Sequence, residues 1–293
     1  SLCNLGYTPL AAIADIVDNG PDANASNIAI EVNQCTDATL KDPVSEIVIF
    51  DDGVGMDSGT AWEAMAYGSN TGKTKANNMG CFGSGLKSAG TSLGRRITVL
   101  TRVLGGQLIT VAIDLDVNRD QDDWMTIKNP EHVTQEQIDR FEAFVGGGSG
   151  TMIIIDKIVK HTYKNAGSLV SALKGRRALR LIFRKFLDSE QYTIRVNSTL
   201  LTAWGYDHVE GVTELMAPIN FSVGKLNLGT VKIVSTLGTE HKASHTREQG
   251  IVVLRNHRDI TQSVRISWKG LRTHTWELAG VYLIWNVNAS NFD

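Results

Sequence analysis

Residues 8–26 read TPLAAIADIVDNGPDANAS, a helix that must bury one side and carry a polar row on another. Thr8 can cap its start, and Pro9 suits the first helical position. Leu10, Ile13 and Val17, with alanines between them, make an apolar stripe at helical spacing. Asp15, Asn19 and Asp22 fall at i, i+4 and i+7 on a different face. Such a row is either a solvated surface or the wall of a metal–nucleotide pocket, with a carboxylate to handle water and an amide to hold the metal.

At 293 residues and 42% hydrophobic content, the chain can bury a large core and is expected to be a soluble protein of one or two domains. A net charge of −2 gives no global basic field to draw it to nucleic acid or membrane. Cys3, Cys35 and Cys81 are scattered without CxxC spacing, which points to a reducing, cytoplasmic setting and away from a disulfide framework or a zinc site. No apolar run of about 18 residues occurs and no signal peptide is recognisable, so no membrane association is expected. The chain runs from Ser1 to Asp293 without end signals, as a piece trimmed from a longer protein would.

After the opening helix, Asn27–Val32 alternates as a strand. Glu46–Phe50 is a second strand that runs straight into Asp51-Asp52-Gly53-Val54-Gly55-Met56. A strand ending on an acid and two glycines sets a carboxylate at a sheet edge, beside backbone that a ligand can approach closely; a plain glycine turn reads the same way. Asp57 is predicted to cap a helix reaching Tyr67. Gly68–Gly85 is rich in Gly, Asn, Ser and Thr, as long functional loops are. Its GSNTGKT segment imitates a phosphate-binding P-loop, but that motif needs glycine where Tyr67 stands and a strand before it. Gly80, Gly83 and Gly85 lead into Leu86-Lys87-Ser88-Ala89, a helix start whose amides, dipole and lysine would suit phosphate oxygens; a solvated surface loop is the alternative. Arg96–Arg102 and Gln107–Leu115 read as a hairpin, Asp116–Asp123 as an exposed acidic segment and Thr134–Val145 as a short helix. A glycine hinge at 146–150 follows, and Thr151–Ile155 is a buried strand.

The acid/amide helix, the DxGxG turn, the glycine-rich loop with its lysine and the Gly-Thr strand start stand in one order across residues 8–155. Together they resemble the GHKL ATPases, the group of DNA gyrase B, heat-shock chaperone, histidine-kinase and MutL nucleotide-binding domains. The likeness is nearest to MORC-type and MutL-type members and to bacterial MORC-like ATP-binding proteins. DIVDNGPDANAS looks like their acid-L-V-D/E-N helix, and MGCFGSGLKSA like the end of their lid. The resemblance implies an α+β chain, with a Bergerat-type α/β sandwich ATP-binding domain over residues 1–157 and an S5-like transducer domain over 158–293. It implies Mg²⁺-dependent ATP binding and slow hydrolysis to ADP and phosphate, driving lid closure.

Position by position, the resemblance makes Asn19 the Mg²⁺ ligand and Asp51 the acceptor of the adenine amino hydrogen. Gly53, Gly55 and Met56 wall the adenine pocket, Ala23 packs near the base, and Asp22 lies on the nucleotide side of the helix. Gly80, Phe82, Gly83, Ser84, Gly85, Leu86 and Lys87 form the lid end that cradles phosphates, and Thr151 supports the adenine side through Asp51 or a water. Mg²⁺ keeps several waters, so one amide oxygen is a sufficient protein ligand. One position departs from the family. Most members place Glu as general base four residues before the metal Asn, where this chain has Asp15, one methylene shorter. A base must reach its water within about 2.6–3.2 Å, directly or through a second water. Asp15 is the candidate base; the alternative is a nonhydrolysing nucleotide-binding scaffold.

Beyond Asp156 the composition changes. Ser168–Leu187 reads as one amphipathic helix carrying Lys174, Arg176, Arg177, Arg180, Arg184 and Lys185, either a nucleic-acid patch or a solvated face. Short strands are predicted at Tyr192–Val196, Leu200–Trp204, Asn227–Ser235 and Gly250–Leu254, with an aromatic, core-forming stretch from Trp268 to Asp293. Family transducers return a basic or Gln side chain to the γ-phosphate. Gln249 and Arg247 are placed for that role, with Lys242, Arg255 and Arg258 as rivals. The resemblance implies ATP as ligand, a homodimer on ATP binding, possible action on DNA and an unnamed protein partner. The histidine-kinase arrangement is not expected, since seven residues precede Thr8 and a phospho-acceptor helix would come first.

Overall fold

The computed structural model describes residues 8–35, 44–66, 85–159, 163, 165–189, 192–205, 212–223, 226–235, 250–255, 258–259 and 281–287. They divide into two compact units, one holding the described residues up to 174 together with 192–201, the other holding 175–189 and those from 202 onward.

The first unit opens as its sequence requires. Helix α1 (Pro9–Val17) starts with the Thr8 hydroxyl accepting from the Ala11 amide at 3.2 Å, and its Ala12, Ile13, Ala14, Ile16 and Val17 are buried. Asp18 separates it from the single turn α2 (Asn19–Asp22), which Ala23 caps, so the polar row spans two helical pieces rather than one. Strands β1 (Asn27–Gln34) and β2 (Val44–Asp51) follow, then α3 (Ser58–Met65), capped by Asp57. Helix α4 (Gly85–Leu93) leads into β3 (Gly94–Arg102) and β4 (Ile109–Asp114). The acidic stretch expected only to be exposed forms α5 (Leu115–Gln121), because the Asp114 carboxylate caps it by accepting from the Asp116 amide at 3.0 Å. Then come β5 (Ile127–Lys128), α6 (Gln135–Val145) with a Thr134–Gln137 capping box, β6 (Gly150–Ile158) and α7 (Ala166–Leu173).

These strands and the hairpin β7 (Thr193–Val196)–β8 (Thr199–Leu200) form one eight-stranded sheet in the order β5-β4-β3-β6-β2-β1-β7-β8. All described pairings in it are antiparallel except β1 with β7. Val48, Phe50, Leu100, Met152 and Ile154 face α6 and bury Phe141 between them. The opposite face carries the helices of the opening motif: a side-chain carbon on Gly90 of α4 would sit 2.5 Å from Ile97 Cδ1, and one on Gly20 of α2 would sit 2.6 Å from Ile28 Cδ1. A sheet layered between helices is the α/β sandwich expected from the resemblance. A boundary at 157/158, by contrast, would cut β7 away from its partner β1; the pairing Ile28↔Ile194 and Ile30↔Val196 draws 192–201 back into the first unit.

The second unit holds the short helices α8 (Leu179–Ile182) and α9 (Arg184–Asp188). The single amphipathic helix predicted over 168–187 is therefore three pieces, interrupted by a turn after Lys174 and again at Phe183. Its cations do not share one face: Arg184 is fully buried, and Arg180 donates to the Thr202 carbonyl and hydroxyl at 2.8 and 2.9 Å. Strands β9 (Thr213–Val223), β10 (Leu226–Ser235), β11 (Gly250–Arg255), β12 (Arg258–Asp259) and β13 (Val281–Val287) make a five-stranded sheet in the order β12-β11-β13-β10-β9. Leu181, Trp204, Val234, Leu254 and Ile284 form its core. Among the described residues no helix is long and apolar enough to cross a membrane.

Candidate nucleotide site

Asp51 is the last residue of β2, at the end of a run of four buried apolar residues, and is itself only 6% exposed. Burial pushes its carboxyl up to about 7, although the Gly53 amide donates to its Oδ1 at 3.0 Å and favours the ionised form. A carboxylate kept this dry has spare accepting capacity aimed away from water, the property needed to fix a donor on a ligand.

The following turn is built against the end of the opening helix. A side-chain carbon on Gly53 would stand 2.7 Å from both the Cβ and the carbonyl of Ala23, and the Val54 amide donates to that carbonyl at 2.9 Å. Gly55 has φ +68°, and a side chain there would collide with the Arg102 carbonyl at 2.0 Å. Gly55→Ala therefore combines a left-handed backbone with a backbone clash, and we expect a loss of about 2–4 kcal/mol in stability, read as a lowered urea midpoint.

Three strands then deliver their ends to one point. Asp51 lies opposite Thr151 in the β2–β6 register, and Thr101 lies opposite Thr151 in the β3–β6 register. The Thr101 hydroxyl donates to the Gly150 carbonyl at 3.0 Å, accepts from the Met56 amide at 2.9 Å and meets the Thr151 hydroxyl at 3.2 Å. A hydroxyl has one proton, so with Thr101 donating to Gly150 the Thr151 hydroxyl is the donor between the two. Thr151 thus turns lone pairs, not a proton, toward the Asp51 side. Thr101 was not foreseen from the sequence. Thr101 is fully buried, so Thr101→Val strips its Met56 and Thr151 contacts at once, and should cost about 1–3 kcal/mol and weaken nucleotide binding in a titration.

The other end of the site lies where α1 packs against α4. A side-chain carbon on Gly85 would point at the Asp15 carbonyl 4.0 Å away, so the first turn of α4 starts beside the candidate base. Asp15 and Asn19 are half-buried. The Asn19 Nδ2 donates to the Ile16 carbonyl at 3.0 Å, which assigns the nitrogen to the backbone and the oxygen to the other end of the amide. That orientation fits a hard cation such as Mg²⁺. No group of three or more His, Cys, Asp or Glu that could hold a metal occurs among the described residues, so a cation here would take few protein ligands and complete its shell with water and phosphate.

Lys87 does not point into open solvent. It is buried, its Nζ donates to the Ala66 carbonyl, and burial lowers its pKa. Asp22 and Leu86 are half-buried on α2 and α4. The structure thus gathers Ala23, Asp51, Gly53, Gly55, Met56 and Thr151 into one knot, and sets Asp15 beside Gly85. Gly80, Phe82, Gly83, Ser84, Gln249, Arg247 and Lys242 lie outside the described residues, while Arg255 and Arg258 fall in β11 and β12. Asp52, also unforeseen, accepts from the Ser26 and Asn27 amides at 2.7 Å each and so fastens the α2–β1 junction to the turn.

The sandwich and this pocket define a GHKL-type ATPase domain. The family model described as "Histidine kinase-, DNA gyrase B-, and HSP90-like ATPase" matches residues 7–151, and this part of the chain belongs to that family. Within it, 94 residues are similar to ATPase morc-1 of Caenorhabditis elegans at 32% identity, a match covering 32% of this chain and 10% of that protein.

Proposed function

We propose that this protein binds ATP with Mg²⁺ and hydrolyses it slowly, using the bound state as a switch. The observation that carries the reading is the buried Asp51 carboxylate at the end of β2, flanked by Gly53 on Ala23 and faced by Thr151. In this reading Asp51 accepts the adenine amino hydrogen, Gly53, Gly55, Met56 and Ala23 wall the base, and Thr151 holds a bridging water. Asn19 presents its amide oxygen to Mg²⁺, with Asp22 on the same side of the pocket. When bound, Mg²⁺ neutralises charge on the phosphate oxygens. Asp15 accepts the proton of the attacking water, while Lys87 and the amides at the start of α4, from Gly85 and Leu86 onward, stabilise charge on the transferred phosphoryl group.

The family resemblance further supports lid closure and association of two copies on ATP binding, with the second unit as an S5-like transducer. Action on DNA draws no help from Arg184, which is buried, or from Arg180, which is tied to Thr202, while Arg176 and Arg177 are exposed.

Calorimetric titration with a nonhydrolysable ATP analogue, with and without Mg²⁺, tests the reading together with phosphate release from ATP. The expected result is saturable binding that weakens when Mg²⁺ is chelated, and slow Mg²⁺-dependent turnover. Binding without turnover would favour the nonhydrolysing scaffold, motivated by the short acid at Asp15; no binding would overturn the assignment of the pocket.

A further inference from the structure

Lys87 is the third residue of α4, in the turn whose free amides already carry partial positive charge. A buried ammonium is poorly placed at that end of a helix unless something negative meets it. Here the Ala66 carbonyl does, at 2.5 Å. Ala66 is the C-cap of α3 with extended backbone (φ −69°, ψ 147°), so its carbonyl lies at the negative end of that helix. One lysine therefore joins the C-terminal end of α3 to the N-terminal turn of α4.

The end of α3 has a second anchor of a different kind. The Met65 carbonyl accepts from the Trp124 indole Nε1–H at 3.0 Å, a neutral contact made by a rigid ring. The Lys87 contact is charged, on a flexible stem, and set against a partner carrying only a partial charge. Burial lowers the lysine's pKa, so the ammonium gives up hydration in reaching this seat. A fully charged oxygen within reach of the same stem is the stronger partner, because charge-assisted hydrogen bonds to anions are about twice as strong as those to neutral acceptors.

We propose that the Ala66 carbonyl is the resting seat of the Lys87 ammonium and that a nucleotide phosphate takes the ammonium from it, releasing the last turn of α3. The inference rests on the ATP reading above and adds the competition to it. Adenosine, without phosphates, fills the Asp51 pocket and leaves Lys87 seated. Because coupling is reciprocal, phosphate binding is weakened by unseating the lysine, and the α3 end is loosened by phosphate.

Hydrogen exchange of peptides covering residues 58–66 tests this, on wild type alone, with saturating adenosine and with a nonhydrolysable ATP analogue, calorimetry recording occupancy in each sample. The ATP analogue is expected to speed exchange of the α3 C-terminal amides at least about threefold, against the usual protective effect of a ligand. Adenosine leaves them unchanged. Lys87→Met shows the faster exchange without ligand and no further change with it; should it not fold, the wild-type samples decide alone. An analogue that binds while residues 58–66 exchange unchanged or more slowly overturns the seat exchange and leaves the nucleotide reading intact. No heat of binding from either ligand overturns that reading, and this inference with it.

Discussion

Asp51→Asn is expected to abolish ATP-analogue binding while making the protein more stable at pH 8. The two effects share one cause. Asp51 Oδ1 is already engaged by the Gly53 amide at 3.0 Å, so an asparagine keeps its oxygen there and turns its NH₂ toward the ligand. An adenine amino group would then meet a donor instead of an acceptor in a site 6% exposed. Mismatched buried polar groups of this kind cost several kcal/mol, so affinity should fall at least about 100-fold. Stability moves the other way. The folded state holds the Asp51 proton up to about pH 7, whereas an unperturbed carboxyl loses it near 3.8. Between those values the folded state binds the extra proton, so wild-type stability falls as pH rises through that window and stays low above it. The accumulated penalty at pH 8 is on the order of 4 kcal/mol, and the amide removes it. Thermal melts at pH 8 should place Asp51→Asn above wild type, with the gap closing toward pH 4. A variant less stable than wild type at pH 8 would mean that the buried carboxylate is compensated by its surroundings.

Asp15→Ala is expected to reduce steady-state phosphate release by about 10²–10⁴-fold, the usual contribution of a positioned general base, with analogue affinity changed less than about threefold. Asp15 sits half-buried on α1, whose backbone at that residue faces the start of α4 at Gly85. Residue 15 thus stands beside the start of α4, and in the proposed reading its carboxylate handles the attacking water rather than binding the nucleotide. Asp15→Glu restores the methylene that most of the family carries, and should raise turnover above wild type if reach limits the rate. Equal turnover by wild type and Asp15→Ala would remove Asp15 as the base and favour the nonhydrolysing alternative. Residual turnover in Asp15→Ala that grows with pH would indicate direct attack by hydroxide with no protein base.

Much of the ATP-binding unit is legible in short windows. The Thr8–Pro9 helix start, the Asp57 cap and the Thr134 capping box are decided by side chains three residues from the amides they satisfy. β2 and its DxGxG turn are legible because the strand period and the glycine requirement are local too. The long helix predicted over 168–187 is broken after Leu173 and at Phe183, and its periodicity marked Arg184 as a surface cation although it is buried. The acidic stretch at 116–123 hid α5, because charge marked it as exposed and said nothing of its backbone.

By itself the sequence determined the order of the site's parts, the glycines at 53 and 55 and the identity of the acid at 15, since these depend on residue type and spacing along one strand or helix. Only the tertiary structure decided that Thr101 joins Met56 to Thr151, because β3 and β6 are brought side by side from positions 50 residues apart. It likewise decided that β7 completes the first sheet, that Lys87 rests on Ala66, and that Asp51 holds its proton to about pH 7. Each of these is a matter of register or burial, and both are set by what distant segments place around a residue rather than by its neighbours in the chain.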